Sequence, residues 1–301
     1  MRLFVCGGTG YIGTALTQAL LSRGDEVTIV TRRLPATSPY DETMPHPRYV
    51  TWEQWSANPD LLGGADGIVS LTGESINQRW TPKAKQRIVS SRTEAADKLA
   101  DILSRMSAPP PAIVNASGIS LYGHSGDRVF DERDPANPKD FLGMTVVAWE
   151  DAIDRIPAKR LVKLRIGLVL SRSGGAFGLI LLPYRMFVGG KIGSGRQGLP
   201  WIHLQDMVSL ILYCLDNESI RGPVNAVAPD PVSNDEFGRM LGKVTRRPHW
   251  FPVPGFALKL VLGEMSTLVL VGQRAMPSAA LDHGFKFAFP KLEEALRDIT
   301  R

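Results

Sequence analysis

Seven residues near the start of the chain, Gly7-Gly8-Thr9-Gly10-Tyr11-Ile12-Gly13, have the types and spacing to hold a phosphate group. They follow the apolar run Leu3-Phe4-Val5-Cys6, which reads as a buried parallel strand. They precede Thr14 to Arg23, where Ala15, Leu16, Ala19 and Leu20 recur at helical spacing. In a strand, glycine turn, helix unit the glycines let the backbone turn tightly and approach a pyrophosphate, while the amides at the helix N-terminus face its charge. Gly7, Gly10 and Gly13 give the spacing GxxGxxG, with Gly13 at the point where helix and strand pack closely. A glycine-rich turn without a ligand is the plainer alternative.

A second landmark supports the dinucleotide reading. Val27-Thr28-Ile29-Val30 reads as the next strand, and Thr31, Arg32 and Arg33 stand at its end. A site for NAD places Asp or Glu there, against the ribose hydroxyls, whereas an arginine accommodates a 2′-phosphate. The sequence therefore points to NADP(H) over NAD(H), against the alternative of two solvated loop arginines.

Three side chains further on have the chemistry to act on a substrate. Ser117 follows the apolar run Ala112 to Ala116 and can hydrogen-bond a carbonyl, or simply end a strand in a turn. Tyr122 can exchange a proton if its pKa is lowered, or form the aromatic wall of a pocket. His203, beside Trp201 and Asp206, titrates near neutral pH, or fixes its own loop. Arg165, entering the core on a strand, calls for a buried carboxylate partner. Asp131-Glu132 reads as a solvated turn, with acid–base carboxylates as the alternative. Histidines 46, 124, 203, 249 and 283 are scattered, without metal-ligand spacing, so no metal site is expected. There is no Gly-x-Ser-x-Gly elbow, which argues against an α/β-hydrolase.

These residues need a scaffold, and the alternation of apolar runs and helical periodicities supplies one. Strands are expected at Arg48–Trp52, Ala65–Gly73, Ala112–Ala116, Leu161–Leu170 and Val224–Val227. Helices are expected at Pro82–Ser104, Asp140–Ile156, Asp206–Leu215 and Asn234–Val244, the last capped by Ser233 or Asn234. Leu34 to Pro47 reads as a Pro-rich loop, and Ala257 to Gln273 as one helical stretch. The pattern predicts an α/β protein with a doubly wound parallel sheet over residues 1–247, and a smaller C-terminal lobe over residues 248–301 that packs on the substrate cleft.

Composition narrows the class. At 301 residues, with 44% hydrophobic and 22% charged residues, the chain is an ordinary globular protein. The net charge of +5 comes from scattered lysines and arginines, so an anionic cofactor explains it without nucleic acid. Cys6 and Cys214 fall in expected core elements, which fits a reducing, cytoplasmic compartment without disulfides. The N-terminus does not read as a signal peptide. The most apolar late stretch, Leu258 to Val271, is interrupted by Lys259 and Glu264 and is too short to span a bilayer, so no membrane partner is expected. A small-molecule substrate is, and a homodimer is the assembly carried forward.

Several further segments carry a family resemblance. They are Asn77 to Trp80, Ser91-Arg92, Ser117-Gly118-Ile119-Ser120-Leu121-Tyr122-Gly123, Trp149-Glu150 and Arg165-Ile166-Gly167-Leu168-Val169-Leu170. Gly193 to Gln197, Trp201 to Asp206, Asn225 to Pro229 and Gly284 to Phe287 complete the set. With the glycine turn, they resemble the atypical NAD(P)-dependent epimerase family, SulA-like or SDR39U1-type, in the extended branch of the short-chain dehydrogenase/reductase superfamily. The resemblance includes that family's C-terminal domain of unknown function, here about 248–297. It implies a Rossmann-type fold binding NADP(H), with Thr31, Arg32, Leu71 and Thr72 on the adenine side and Gly73 closing the same turn. It also implies Arg92 near the cofactor phosphates and Val169 near the nicotinamide. A surface arginine on an amphipathic helix is the alternative for Arg92.

Most of that superfamily carries Tyr-x-x-x-Lys, in which the tyrosine exchanges a proton with the substrate oxygen and the lysine lowers its pKa. Here the corresponding slots fall near Leu142 and Val146, which cannot transfer a proton. The expected function is an NADP(H)-dependent oxidoreductase or epimerase acting on a small carbonyl or hydroxyl compound. The alternative is a non-catalytic NADPH-binding scaffold or regulator tied to cell or organelle division.

Overall fold

A computed structural model describes residues 1–35, 45–124 and 126–301. Strand β1 (Arg2–Cys6) runs into helix α1 (Tyr11–Ser22), then β2 (Glu26–Thr31), β3 (Arg48–Thr51), α2 (Trp52–Ala57) and β4 (Gly67–Ser70). There follow α3 (Pro82–Ser104), β5 (Ala112–Gly118), the two-residue β6 (Val129–Phe130), α4 (Phe141–Ile153) and β7 (Arg160–Ile166). Next come β8 (Leu168–Leu170), α5 (Phe177–Arg185), β9 (Gly198–Leu199), β10 (Trp201–His203), α6 (Leu204–Asp216) and β11 (Gly222–Ala226). The chain ends through β12 (Val232–Ser233), α7 (Asn234–Thr245), α8 (Gly255–Leu262), α9 (Thr267–Leu270), β13 (Arg274–Ala275), α10 (Ser278–Asp282) and α11 (Leu292–Thr300).

Seven strands form one parallel sheet in the order β3-β2-β1-β4-β5-β7-β11. Its strands are apolar on both faces because helices cover both. Leu16 and Leu20 of α1 and Leu210 and Ile211 of α6 fill one side. Trp55 of α2, Leu99 and Ile102 of α3, and Trp149 and Ile153 of α4 fill the other. Among the described residues no helix is long and apolar enough to cross a membrane.

Three expected elements differ from what forms, two of them at a glycine. The strand over 161–170 breaks at Gly167, where a Cβ would lie 2.6 Å from the Pro200 carbonyl oxygen. Beyond it, β8 leaves the main sheet and pairs with β10. The stretch 257–273 is not one helix, because Gly263 adopts φ 58° and ends α8. The strand expected over 65–73 is confined to Gly67–Ser70. Most of the Pro-rich loop, residues 36–44, lies outside the described residues.

The C-terminal residues share cores with the rest of the chain. Leu292, Ala295, Leu296 and Ile299 of α11 pack with Phe237 and Leu241 of α7, while Ala280 and Phe285 join the core beneath α1 and α6. Buried Asp206, in the first turn of α6, accepts hydrogen bonds from the amides of Ala288 (2.7 Å) and Phe289 (2.9 Å). Asp206→Ala leaves both amides without that acceptor. It is expected to lower the free energy of unfolding by about 2–3 kcal/mol, measured by urea denaturation of the full chain.

Candidate functional site

The sheet order reverses between β1 and β4, so a crevice opens at their carboxyl ends, where ligands of doubly wound sheets bind. The glycine turn fills that place. Gly7 has φ 81°, and a Cβ there would lie 2.9 Å from the backbone of Leu71. A Cβ at Gly13 would lie 2.2 Å from the Gly7 carbonyl oxygen, so the turn and the start of α1 touch backbone to backbone. Gly8 sits against the Ile29 side chain, where a Cβ would come within 2.8 Å, and Gly10 N–H donates to Gly7 O at 3.0 Å. Gly10 is also the N-cap of α1 and offers no side-chain acceptor, so the first-turn amides have no capping side chain. Thr9 is exposed at the tip of the turn, and Ile12 packs against the core. The Tyr11 hydroxyl donates to Ser171 Oγ at 2.7 Å, and its ring lies against Gly174 and Gly175, tying the turn to the segment after β8.

At the end of β2, Arg32 and Arg33 are exposed, and Thr31 Oγ1 donates to the Arg33 carbonyl at 3.1 Å. At the end of β4, Thr72 Oγ1 is buried without a hydrogen-bond partner among the described residues. Gly73 lies against the Arg92 guanidinium, which a Cβ would meet at 3.0 Å. Arg92 donates through Nη1 to the Ile88 carbonyl at 2.8 Å and stacks its guanidinium 5.1 Å from the centre of the Trp149 ring. It has no ion-pair partner among the described residues, and burial pulls its pKa down to about 10. A desolvated cation with the Glu74 carboxylate near but not in contact, a hydroxyl unpaired among the described residues and a glycine turn that excludes side chains fit the phosphates of a dinucleotide. Val169 lies in β8, buried, with Ile202 of β10 as its register partner.

Ser117 and Tyr122 are brought into one buried network. Ser117 Oγ, at the carboxyl end of β5, donates to Glu150 Oε1 at 2.6 Å. Arg165 clasps Glu150 with Nε (2.9 Å) and Nη2 (3.0 Å), and its Nη1 donates to the Tyr122 hydroxyl at 2.8 Å. That hydroxyl donates in turn to Asn225 Oδ1 at 2.9 Å. Lys163 bridges Glu150 (3.4 Å) and Asp154 (2.9 Å) at the solvent edge. Burial raises the pKa of Glu150, but the hydrogen bonds and charge of Arg165 outweigh it and hold the carboxyl below its ordinary range. Tyr122 is 0% exposed, and burial pushes its pKa up to about 12, the opposite of the lowering that proton exchange at neutral pH needs. Its ring stacks on Phe130.

Arg165 thus has the buried carboxylate its position called for. Sequence reasoning did not find the roles of Glu150, Lys163 and Asn225. The available signal was the pair Lys163 and Arg165, two apart on a strand and so on one face. The solvated turn expected at Asp131-Glu132 needs correction at Glu132. Its carboxylate is half-buried and accepts from the amides of Asn225 (2.7 Å) and Ala279 (3.2 Å). On α4 the lysine slot is filled by Val146, whose Cγ2 would lie 2.9 Å from a Cβ at Gly118, so the apolar side chain closes onto the end of β5.

His203 stands apart from this network. Its Nδ1 accepts the Gln205 amide at 3.1 Å and caps α6, and its ring packs on Phe289 at 4.0 Å between centres. Nε2 lies 3.4 Å from Asp298 of α11 without forming a hydrogen bond. Burial lowers the His203 pKa below its ordinary value of 6.5, against the opposing pull of Asp298 and Asp206. The unfolded chain therefore binds the proton more readily than the folded one. This contribution to stability is full above about pH 6.5 and is lost as the pH falls from there toward the folded pKa. His203→Asn keeps an N-cap acceptor and removes the titration. Thermal denaturation from neutral to mildly acidic pH is expected to show a shallower loss of stability in this variant than in the parent.

The comparisons with known proteins agree with this geometry. Residues 3–226 match the model of the NAD dependent epimerase/dehydratase family, and residues 253–299 match a domain of unknown function, DUF1731. The chain is 39% identical over 302 residues to epimerase family protein YfhF of Bacillus subtilis, covering 99% of this chain and 98% of that one. It is 37% identical over 304 residues to the chloroplastic SDR39U1 homolog of Arabidopsis thaliana, covering all of this chain and 87% of the other. The crystal structure of human epimerase family protein SDR39U1 (isoform 2) with NADPH superposes with a TM-score of 0.90 at 37% identity, covering 99% of each chain. Its fold is the Rossmann-type α/β fold seen here. The glycine turn at the switch point, the parallel seven-stranded sheet and the match along nearly the whole chain place this protein in the NAD dependent epimerase/dehydratase family.

Proposed function

We propose that the chain is an NADP(H)-dependent oxidoreductase or epimerase acting on a small carbonyl or hydroxyl compound. The observation that carries this reading is the convergence of Arg92, without an ion-pair partner among the described residues, and the orphaned Thr72 Oγ1 on the crevice beside the glycine turn. The NADPH in the human SDR39U1 crystal structure supports the choice of cofactor. When bound, the dinucleotide supplies hydride exchange with a substrate carbon.

The chain's own residues supply the rest. The amides of Gly7 to Gly13 and of the first turn of α1 take the pyrophosphate, with Arg92 as counter-charge. Thr31, Arg32 and Arg33 receive the 2′-phosphate, Leu71, Thr72 and Gly73 line the adenosine side, and Val169 lies on the nicotinamide side. Ser117, whose own proton goes to Glu150, is the acceptor for a substrate hydroxyl at the end of β5. Glu150 and Arg165 are positioning residues behind it, and Tyr122 is a wall they hold in place. His203, as the cap of α6, is a structural part in this reading. Residues 1–247 then carry the cofactor and residues 248–301 close the substrate side, which the ion pair between Lys85 of α3 and Glu264 supports.

Thermal shift with each coenzyme tests the first part. NADPH is expected to stabilise the protein more than NADH, with about 2.7 kcal/mol gained at a hundred times the dissociation constant. Changing Arg32→Asp and Arg33→Asp together is expected to cut the preference for NADPH at least about tenfold. A panel of carbonyl compounds, followed by NADPH absorbance, tests the second. Ser117→Ala is expected to lower turnover about a hundredfold while leaving NADPH binding intact. NADPH binding without turnover of any compound would instead favour the scaffold.

A further inference from the structure

The C-terminal part of the chain exposes far more apolar surface than a free-standing protein needs. Helix α8 has no buried residue, and Leu260, Val261 and Phe256 are 86%, 77% and 76% exposed. Just before it, Trp250 is 66% exposed and Phe251 projects beside it. The segment 250–253 runs along 187–193: Trp250 and Phe251 both donate to the Gly189 carbonyl, Val253 to that of Lys191, and Trp250 Nε1 to that of Phe187. That pairing joins α8 to the end of α5, where Leu179, Leu182 and Met186, three and four residues apart, form an exposed stripe. The apolar area presented is on the order of 1,000 Å², above the roughly 300–600 Å² of the largest patch on an ordinary monomer.

The charges around this surface decide what it fits. Residues 177–197 and 246–262 hold Arg185, Lys191, Arg196, Arg246, Arg247 and Lys259, all exposed, and neither segment contains an Asp or Glu. The acids beside them are each paired, Asp235 with Arg239 and His249 and Glu264 with Lys85, so the unpaired charge at this face is positive. Arg247 lies over the Phe187 ring at 4.3 Å, so one cation is seated on the apolar surface itself. A second copy meeting this face about a two-fold axis would bring the same cations together, which opposes association. An anionic lipid surface answers both features. Trp and Phe side chains are at home at the bilayer interface, apolar side chains on a short helix enter the acyl boundary, and flanking Lys and Arg meet the headgroup charge.

We propose that the face formed by α8, Trp250–Phe251 and the outer stripe of α5 docks on the surface of a bilayer containing anionic phospholipid, without spanning it. The absence of a membrane partner expected from the sequence rested on spanning length, a different property. This proposal is independent of the coenzyme reading, because none of the residues that form the docking face belongs to the glycine turn or to the strand ends assigned to the coenzyme.

Flotation of the full-length protein with lipid vesicles tests it. The protein is expected to float with phosphatidylcholine vesicles containing about one-third phosphatidylserine, and to be released when salt rises from about 0.1 M to about 0.5 M. It is expected to stay in solution with pure phosphatidylcholine. Phe256→Ser with Leu260→Ser should abolish flotation, and Lys259→Gln should weaken it about fivefold. In each variant the thermal shift given by NADPH should match that of the parent, which separates lost docking from lost folding. If the double variant does not fold, Lys259→Gln combined with Arg247→Gln carries the same test on charge alone. Failure of the parent protein to float at low salt overturns the proposal. So does a dimer in light scattering that the Phe256 and Leu260 changes disperse, which would make a second copy the occupant.

Discussion

The structure depends on a contact that no side chain can enter. Gly13 packs on the Gly7 carbonyl, and Gly7 packs on the backbone of Leu71, so β1, α1 and β4 meet without a Cβ between them. This closeness places the uncapped N-terminus of α1 beside the carboxyl end of β4 at the switch point of the sheet. A cradle made of backbone recognises phosphate as a class and reads little else. Discrimination must then come from the side chains at its rim, and the cations among them are Arg92 under Gly73, and Arg32 and Arg33 at the end of β2.

The neighbouring strand end solves a different problem. Helix α4, where the superfamily's proton-transfer pair would stand, carries Leu142 and Val146, and Val146 closes onto Gly118. One turn further along, Glu150 takes hydrogen bonds from Ser117 and Arg165, with Lys163 within reach. Burying a lone carboxylate would cost several kcal/mol, but here two cations and a hydroxyl satisfy it, so it stays ionised despite burial. The same Arg165 reaches the Tyr122 hydroxyl, and through Asn225 the network reaches the backbone at Met276. Ser117 is therefore held by a rigid, nearly charge-balanced unit rather than by a loop.

Local chemistry was legible in the sequence, and partnerships over distance were not. The glycine turn, the arginines after β2 and the apolar strands declare themselves within a few residues, and the Ser233 cap of α7 forms as its sequence suggests, with Glu236 completing the box. The demand of Arg165 for a carboxylate could be read, but not that Glu150 meets it, because a helix and a strand make that contact in space. Glu132 was misread because a short acidic turn looks solvated until its distant amide partners, Asn225 and Ala279, are seen. The break at Gly263 escaped because apolar composition continues on both sides of it. The exposure of α8 escaped for the same reason, since Phe, Leu and Val imply a core unless the packing shows otherwise.

That exposure is sustainable because the C-terminal part is anchored elsewhere. Asp206 holds the amides of Ala288 and Phe289, Asp230 holds that of Leu292 at 3.0 Å, and α11 buries its leucines against α7. These anchors lie after residue 280, and those at Met276 and Ala279 likewise lie outside α8, which contributes no buried side chain. The fold thus does not need the apolar face of α8 for its own cohesion. A sequence selected for folding alone would gain solubility by making Phe256, Leu260 and Val261 polar at little cost in stability. Their presence beside a rim whose acids are already paired and whose remaining charge is cationic is better accounted for by something that surface meets than by anything the chain packs against it.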